Sequence, residues 1–435
     1  MNSPDVIVIG GGPAGCASAI FLAQSGKRVV LLDRARFPRD KVCGEFISPA
    51  ADDLLSELGV LEEIESHSPL RLGGVAVSAY GGKEVVCPYP ERPGITGPVT
   101  SLSFERLQLD QLLIDRAKAV GVEVREGHQV YDLIIDDAHA VGVNVRDPDK
   151  SDFEIKAPLV IDAGGRNAVS LRKFGLRKNE KGGKKIALAA HWEGATFAGQ
   201  FCYMHISRPG YTGMSPTTGG GANVVLVVDH QAIKGRGLDT AYREIIMSNP
   251  RRRSFLENAR PLEKVRAIDS LAFQIDSVPV GGLMLVGDAM GFIDPFTGEG
   301  IYLALRSARL AVDCAQNAFA TKNFSRTVLA EYEARRESEF GKKFLLCRLL
   351  QHLIASRYLC KSTVSLLDRR PDLADALVGV IGDYLSPGKV VSPVFAMKLV
   401  SGFLGGGNSG KNIRPNGKNK TPEMEKSPAL TNTSL

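Results

Sequence analysis

Two glycine runs far apart in the chain carry residue types suited to an anionic, hydroxylated ligand. Near the start stands Gly10-Gly11-Gly12-Pro13-Ala14-Gly15, a G-x-G-x-x-G pattern. It lies between an apolar strand-like run, Asp5 to Ile9, and a helix-like one over residues 13–25. In that setting Gly10 permits a tight turn and Gly12 lets backbone N–H groups approach a pyrophosphate, while Gly15 lets helix and strand pack closely. Pro13 and Ala14 belong to the same ligand-facing loop. A second strand-like run, residues 28–32, ends in Asp33, whose carboxylate suits ribose hydroxyls. This loop alone does not decide between the common dinucleotides. Much later, Gly287-Asp288 ends another apolar run, and Gly298-Glu299-Gly300-Ile301 opens a further helix-like segment. A carboxylate at a strand end can bind a hydroxylated chain, and glycines heading a helix bring N–H groups to an anion.

The elements that must position these residues follow from composition and periodicity. At 435 residues, 44% hydrophobic and 23% charged, the chain can form two or three domains around a large core. A net charge of +6 is too diffuse over this length to indicate nucleic acid. Seven cysteines, an odd number without a CxxC pair, predict reduced thiols, and no basic leader precedes Asp5. Together these predict a cytoplasmic protein. Residues 5–32 read as a βαβ unit, 73–92 as a hairpin, Phe104 to Val120 as a helix, and 122–161 as a small meander rejoining the first sheet. Strand-like runs fill 186–230, helical periodicity dominates from about 302 to 385, and the composition of residues 405–435 predicts disorder. His191, His205 and His230 fall in strand-like runs without ligand spacing, so they read as structural and no metal site is expected.

With the first glycine run at the start and Gly287-Asp288 near the end, the chain resembles flavoprotein oxidoreductases of the glutathione-reductase-like FAD fold. Within that fold it resembles the branch of geranylgeranyl reductases and para-hydroxybenzoate-hydroxylase-type monooxygenases, over roughly residues 3–385. The resemblance implies an α/β architecture: a discontinuous FAD-binding Rossmann domain (1–72, 100–175 and 275–325), an inserted mixed β-sheet substrate domain (73–99 and 176–274), and a C-terminal helical region (326–404). It implies FAD as cofactor, with Gly10, Gly12 and Gly15 facing the pyrophosphate, Asp33 at the adenosine ribose, Arg34 beside it among the cofactor-binding residues, Arg106 contacting the cofactor, and Asp288 holding the ribitol chain. Gly298, Gly300 and Ile301 would then offer backbone to the flavin ring, with Glu299 either solvated or engaged.

Several residues separate the branches. Met290 and Gly298-Glu299-Gly300 stand where aromatic hydroxylases carry His and Gly-Gln-Gly, and Lys41-Val42-Cys43-Gly44-Glu45 resembles the reductases' Cys-Gly-Glu segment beside the flavin. Two departures weaken a narrow assignment: Asp162-Ala163-Gly164-Gly165-Arg166-Asn167-Ala168 lacks the hydroxylases' Asp and Ser, and Tyr211 to Pro216 keeps only the Tyr and Pro of a prenyl-reductase motif. Trp192, the single tryptophan, fits poorly with the Trp-rich signature of flavin halogenases. Cys43 is the leading candidate for a proton donor as hydride leaves the ring, and Glu45 is a second acid. Only one dinucleotide fingerprint occurs, so reducing equivalents are expected from NAD(P)H visiting transiently or from an electron-transfer protein; Arg34, Arg36 and Arg39 are a basic group that could attract a phosphate. The apolar run Phe344 to Ile354, flanked by Arg336, Lys342, Lys343, Arg357 and Lys361, suits a hydrophobic substrate and peripheral membrane contact. The expected activity is reduction, or the reverse desaturation, of carbon–carbon double bonds in an isoprenoid or lipid-like molecule. The alternatives are a single-component monooxygenase acting on an aromatic or polyketide, a non-redox cyclase or isomerase, and a non-catalytic flavin carrier.

Overall fold

The computed structural model describes residues 3–179, 185–269, 272–292 and 295–404. The expected disordered tail, 405–435, lies outside the described residues. Strand Val6–Ile9 is buried along its whole length and pairs in parallel with Val29–Asp33 on one side and Leu159–Asp162 on the other. Glu123–Glu126 and Leu283–Leu285 complete a five-stranded parallel sheet at its two edges. Continuous Val/Ile/Leu runs are what a sheet covered on both faces requires. Helices Pro13–Gln24 and Gly300–Thr321 pack on this sheet and on each other. Of the expected meander, Gln129–Asp136 and His139–Arg146 are present and Asp152–Lys156 adds a third strand that was not expected, whereas Glu123–Glu126 belongs to the parallel sheet; the chain then returns to that sheet at Leu159.

A second, eight-stranded sheet collects the hairpin Gly74–Ala79 and Glu84–Pro88 with strands from residues 185–269. Pairing is antiparallel except where Cys202–Ser207 meets Gly74–Ala79. The period-2 alternation divides its two faces. Along Gly221–Asp229, Val224, Leu226 and Val228 join Trp192, Tyr203 and Tyr242 beneath helices Leu238–Met247 and Pro250–Leu256, whereas Val225 and Val227 point to the opposite side. That opposite side is roofed by helices Arg326–Ala355, Arg357–Arg369 and Pro371–Ile381, with Pro393–Leu404 beyond them.

Candidate active site

The N-terminal loop is shaped by close backbone approaches that only glycine allows. Gly10 has φ +97°, and a Cβ there would lie 2.6 Å from the Ala163 carbonyl oxygen; at Gly15 it would lie 1.7 Å from the Gly10 carbonyl oxygen. Asp33 secures the loop, its Oδ2 accepting from the Gly11 N–H (2.7 Å) and its Oδ1 from the Ala35 N–H (2.7 Å). Each oxygen keeps a lone pair for a hydroxyl. The space above Gly12 is bordered by guanidinium tips: a Cβ there would come within 3.4 Å of Arg39 Nη2 and 3.8 Å of Arg106 Nη2. Both arginines hold the fully buried Asp110, which takes Arg106 Nε at 2.7 Å and Arg39 Nη2 at 3.4 Å. A helix N-terminus, a glycine cradle and two guanidinium groups are the groups that a pyrophosphate requires.

This cradle opens into a cavity of about 1930 Å³, part of it exposed to solvent. Of the residues expected from sequence, Gly12, Pro13, Ala14, Cys43 and Arg106 meet Gly287, Asp288, Gly298, Gly300 and Ile301 in its lining. Gly10, Gly15 and Asp33 build the loop from behind. Arg34 is exposed and takes no part in the lining, because the chain turns outward after Asp33. Arg39 comes back over the loop instead, its guanidinium 5.0 Å from the Phe37 ring. Arg106 is buried rather than on a solvated helix face; burial opposes its charge, but Asp110 and then Cys43 raise its pKa further. Gly287 (φ +59°) leaves room for Ala14, whose Cβ would be 2.7 Å from any Cβ at this position. Beyond its chain neighbours and its own helix, no atom lies within 4 Å of a Cβ built on Gly300, which lines the cavity where helix Gly300–Thr321 begins and its first N–H groups lack intrahelical partners. Sequence reading did not single out Lys41 or Arg166, both of which line this polar end. Burial, and then repulsion from Arg106, lowers the Lys41 pKa.

The two expected acids separate. Cys43 is half-buried in the lining, its Sγ 3.3 Å from the Glu45 N–H and its carbonyl accepting from Asn223 Nδ2 at 3.1 Å. Glu45 is turned away from the cavity and held as an anion, which corrects its assignment as a proton donor. Its backbone is left-handed (φ 54°), Oε1 accepts from the Arg106 N–H at 3.0 Å, and Oε2 lies 2.8 Å from His191 Nε2. Burial works to raise the Glu45 pKa, but the His191 hydrogen bond and charge, with Asn223 and the Arg106 N–H, outweigh it and hold the carboxyl below its usual range. The hydrogen bond to Glu45 pushes His191 up to about 9 against the cost of burial, and Glu263, 2.8 Å from Nδ1, adds to this. Glu299 is not solvated. It is buried 3.2 Å from Lys343 Nζ, which also binds Asp383 at 2.8 Å and the Val380 carbonyl. Burial, countered only in part by Lys343, raises both carboxyl pKa values.

The cavity continues into an apolar arm between the eight-stranded sheet and the C-terminal helices. Val75, Val77, Met204, Val225 and Val227 form its floor, and Leu350, Leu353, Ile354, Val364 and Leu367 its roof. Phe292 and Phe296 stand at the junction, Phe296 meeting Tyr211 edge-on with ring centroids 5.0 Å apart. Tyr211 is thus brought to the site although its motif lacks the Trp and Phe. Asp162 serves only its own turn, accepting from Gly164 N, Ser170 N and Ser170 Oγ.

A parallel-sheet dinucleotide cradle joined to an apolar cavity under a second sheet defines the architecture of an FAD-dependent oxidoreductase. The chain belongs to the FAD binding domain family, which matches residues 3–341. The cradle's open glycines, the buried Arg106, the half-buried Arg39 and Asp288 fit that cofactor. The chain is 28% identical over 360 residues to the 1H-pyrrole-2-carbonyl-[peptidyl-carrier protein] chlorinase of Pseudomonas fluorescens, covering 76% of this chain and 79% of that protein. It is 28% identical over 361 residues to the menaquinone reductase of Mycolicibacterium smegmatis (80% and 86%), and 26% identical over 374 residues to the digeranylgeranylglycerophospholipid reductase of Methanococcus vannielii (79% and 85%). Among solved structures, a flavoprotein/dehydrogenase from Cytophaga hutchinsonii shares the fold with TM-score 0.80 at 20% identity (93% and 100%). A geranylgeranyl bacteriochlorophyll reductase-like protein from Thermoplasma acidophilum does so with TM-score 0.69 at 22% identity (92% and 96%). The chlorinase is as similar as the reductases, so a lone tryptophan does not set the chain apart from halogenases. Trp192 itself is buried on the far face of the sheet, donating to Tyr242 Oη at 3.0 Å.

Proposed function

We propose that this protein reduces, or in reverse desaturates, carbon–carbon double bonds of an isoprenoid or other lipid-like molecule. The observation that carries this reading is the unbroken passage from the cofactor cradle into an arm whose floor and roof are aliphatic. Burying a long hydrocarbon there gains about 25 cal/mol for each Å² removed from water. Two relatives of comparable similarity are named for menaquinone and for a digeranylgeranyl lipid, which supports a prenyl substrate. When bound, FAD supplies the redox chemistry as a hydride exchanged with the double bond. Gly12, Arg39 and Arg106 would hold its pyrophosphate and Asp288 its hydroxylated chain. The helix starting at Gly300 would offer N–H groups and a positive dipole end to negative charge on the ring. Cys43 would give the proton that completes saturation. NAD(P)H or an electron-transfer protein would bring the electrons.

Oxygen-dependent flavin chemistry, monooxygenation or halogenation, is the second reading, favoured by the likeness to the chlorinase. The test is anaerobic photoreduction of the purified yellow protein, followed by a polyprenyl substrate in one arm and oxygen with halide or aromatic substrates in the other. Reoxidation by the prenyl compound with loss of one double bond is expected. Reoxidation only by oxygen, with a hydroxylated or halogenated product, replaces the first reading with the second.

A further inference from the structure

The helices that roof the apolar arm are apolar on their outer side as well. Leu345 and Leu349 on Arg326–Ala355, Tyr358 and Leu359 on Arg357–Arg369, and Met397 and Val400 on Pro393–Leu404 are between 40% and 79% exposed. On the last helix Phe395 and Leu399 pack inward against the cluster containing Cys360 and Val364, and Pro393, Val394, Ala396, Met397 and Val400 face outward. A helix that is apolar all round belongs in a nonpolar medium, yet here one side lies open. The charge is just as uneven. Residues 342–404 hold nine Lys and Arg against four Asp and no Glu. Lys342, Arg348, Arg357, Lys361, Lys389 and Lys398 have no carboxylate within ion-pair distance among the described residues. No helix among the described residues is long and apolar enough to cross a membrane.

We infer that this outer face is a docking surface for an anionic lipid bilayer. Apolar side chains would enter the acyl boundary while the basic residues meet lipid phosphates, the combination an interfacial helix group uses. A second copy of the chain is the poorer occupant, since two such faces carry like charge. The inner faces of Arg326–Ala355 and Arg357–Arg369 line the arm, with Pro393–Leu404 packed beyond them, so docking brings the cavity roof towards the phase in which a lipid substrate dissolves. The inference rests on the lipid-like substrate proposed above.

The test is co-sedimentation of the full-length, FAD-loaded protein with phosphatidylglycerol–phosphatidylcholine vesicles and with pure phosphatidylcholine vesicles. Binding to the anionic vesicles is expected, weakened by salt and roughly tenfold lower on the neutral ones. The double variant Met397→Glu/Val400→Glu should lose on the order of 30-fold in partition, with flavin absorbance unchanged because both side chains are exposed. Equal binding of the variant, or no binding to either vesicle, overturns the inference. So does concentration-dependent dimerisation that the variant abolishes, which would give the face to a second copy. Turnover of a short, water-soluble prenyl substrate, measured alongside, reports on the reaction separately: unaltered turnover with failed vesicle binding removes only the docking.

Discussion

The His191–Glu45 pair makes a pH-dependent contribution to stability that can be worked out from the structure. It ties the Lys41–Phe46 segment beside the cavity to the middle of the second sheet, over a sequence separation of 146 residues. His191 rises from 6.5 to about 9, so the protonated imidazole stabilises the fold fully below about pH 6.5, and that contribution is lost as pH climbs through about 9. At about 1.4 kcal/mol per pH unit the ceiling is about 3.4 kcal/mol. The imidazole is 22% exposed and Glu263 35%, so solvent screening reduces this to about 2 kcal/mol. The assay is urea unfolding of the FAD-loaded protein from about pH 6 to about pH 9.5, followed by the fluorescence of Trp192, the only tryptophan and the next residue in the same strand. Buried thiols such as Cys360, pushed up to about 11 by burial, add their own loss above about pH 9. The quantity to read is therefore the difference between wild type and His191→Gln, which is neutral throughout. Wild type should lose about 2 kcal/mol more than the variant across this range. Parallel curves for the two proteins would refute the charged pair.

Three further outcomes follow from the site. Gly15→Ala should purify without flavin colour, because its Cβ would sit 1.7 Å from the Gly10 carbonyl oxygen; an absorbance spectrum checks it. Cys43→Ser should keep its flavin and KM but lose about 100-fold in kcat, as expected for a displaced general acid; full turnover would end the proton-donor role. Gly213→Leu projects into the apolar arm, where a Cβ would meet only Met204 Cε at 4.0 Å. It should raise KM about tenfold for long prenyl chains, at roughly 1–3 kcal/mol of pocket discrimination, and leave short ones unaffected, as steady-state kinetics on a chain-length series would show.

The parts of this site that could be read from sequence are those whose constraint is local. Gly10, Gly12 and Gly15 were legible because a strand–turn–helix fixes their backbone roles within six residues, and the strand end at Asp33 follows from the same unit. The Arg106–Asp110 pair is an i, i+4 contact that helical spacing alone could have suggested. Lys41 and Arg166 could not be found that way, since each reaches the cavity only after separate segments fold together. Glu45 illustrates the limit. Its type suits an acid, but its role depends on His191, which a distant strand delivers, and that partner fixes it as an anion. Strand runs from 186 to 230 were visible, yet alternation does not say which face meets solvent, helices or a ligand. Only the roof of helices decides that Val225 and Val227 line an arm while Val224 and Leu226 join the core.

That roof also explains why the turn Gly298-Glu299-Gly300 carries a buried carboxylate. Gly298 (φ +76°) packs so closely on Phe46 that a Cβ would approach within 2.8 Å, and Gly300 must stay bare toward the cavity, so neither can anchor the turn by a side chain. Glu299 does so from behind, reaching Lys343 on the long roof helix, while Asp383 reaches the same ammonium from beyond helix Pro371–Ile381. One cation between two buried carboxylates is costly to desolvate and gives little net stability. Its effect is geometric, because it fixes the turn that opens helix Gly300–Thr321 relative to the helices that roof the apolar arm. Thr297 adds a second tie from the same turn to the long roof helix, its Oγ1 lying 3.5 Å from Cys347 Sγ.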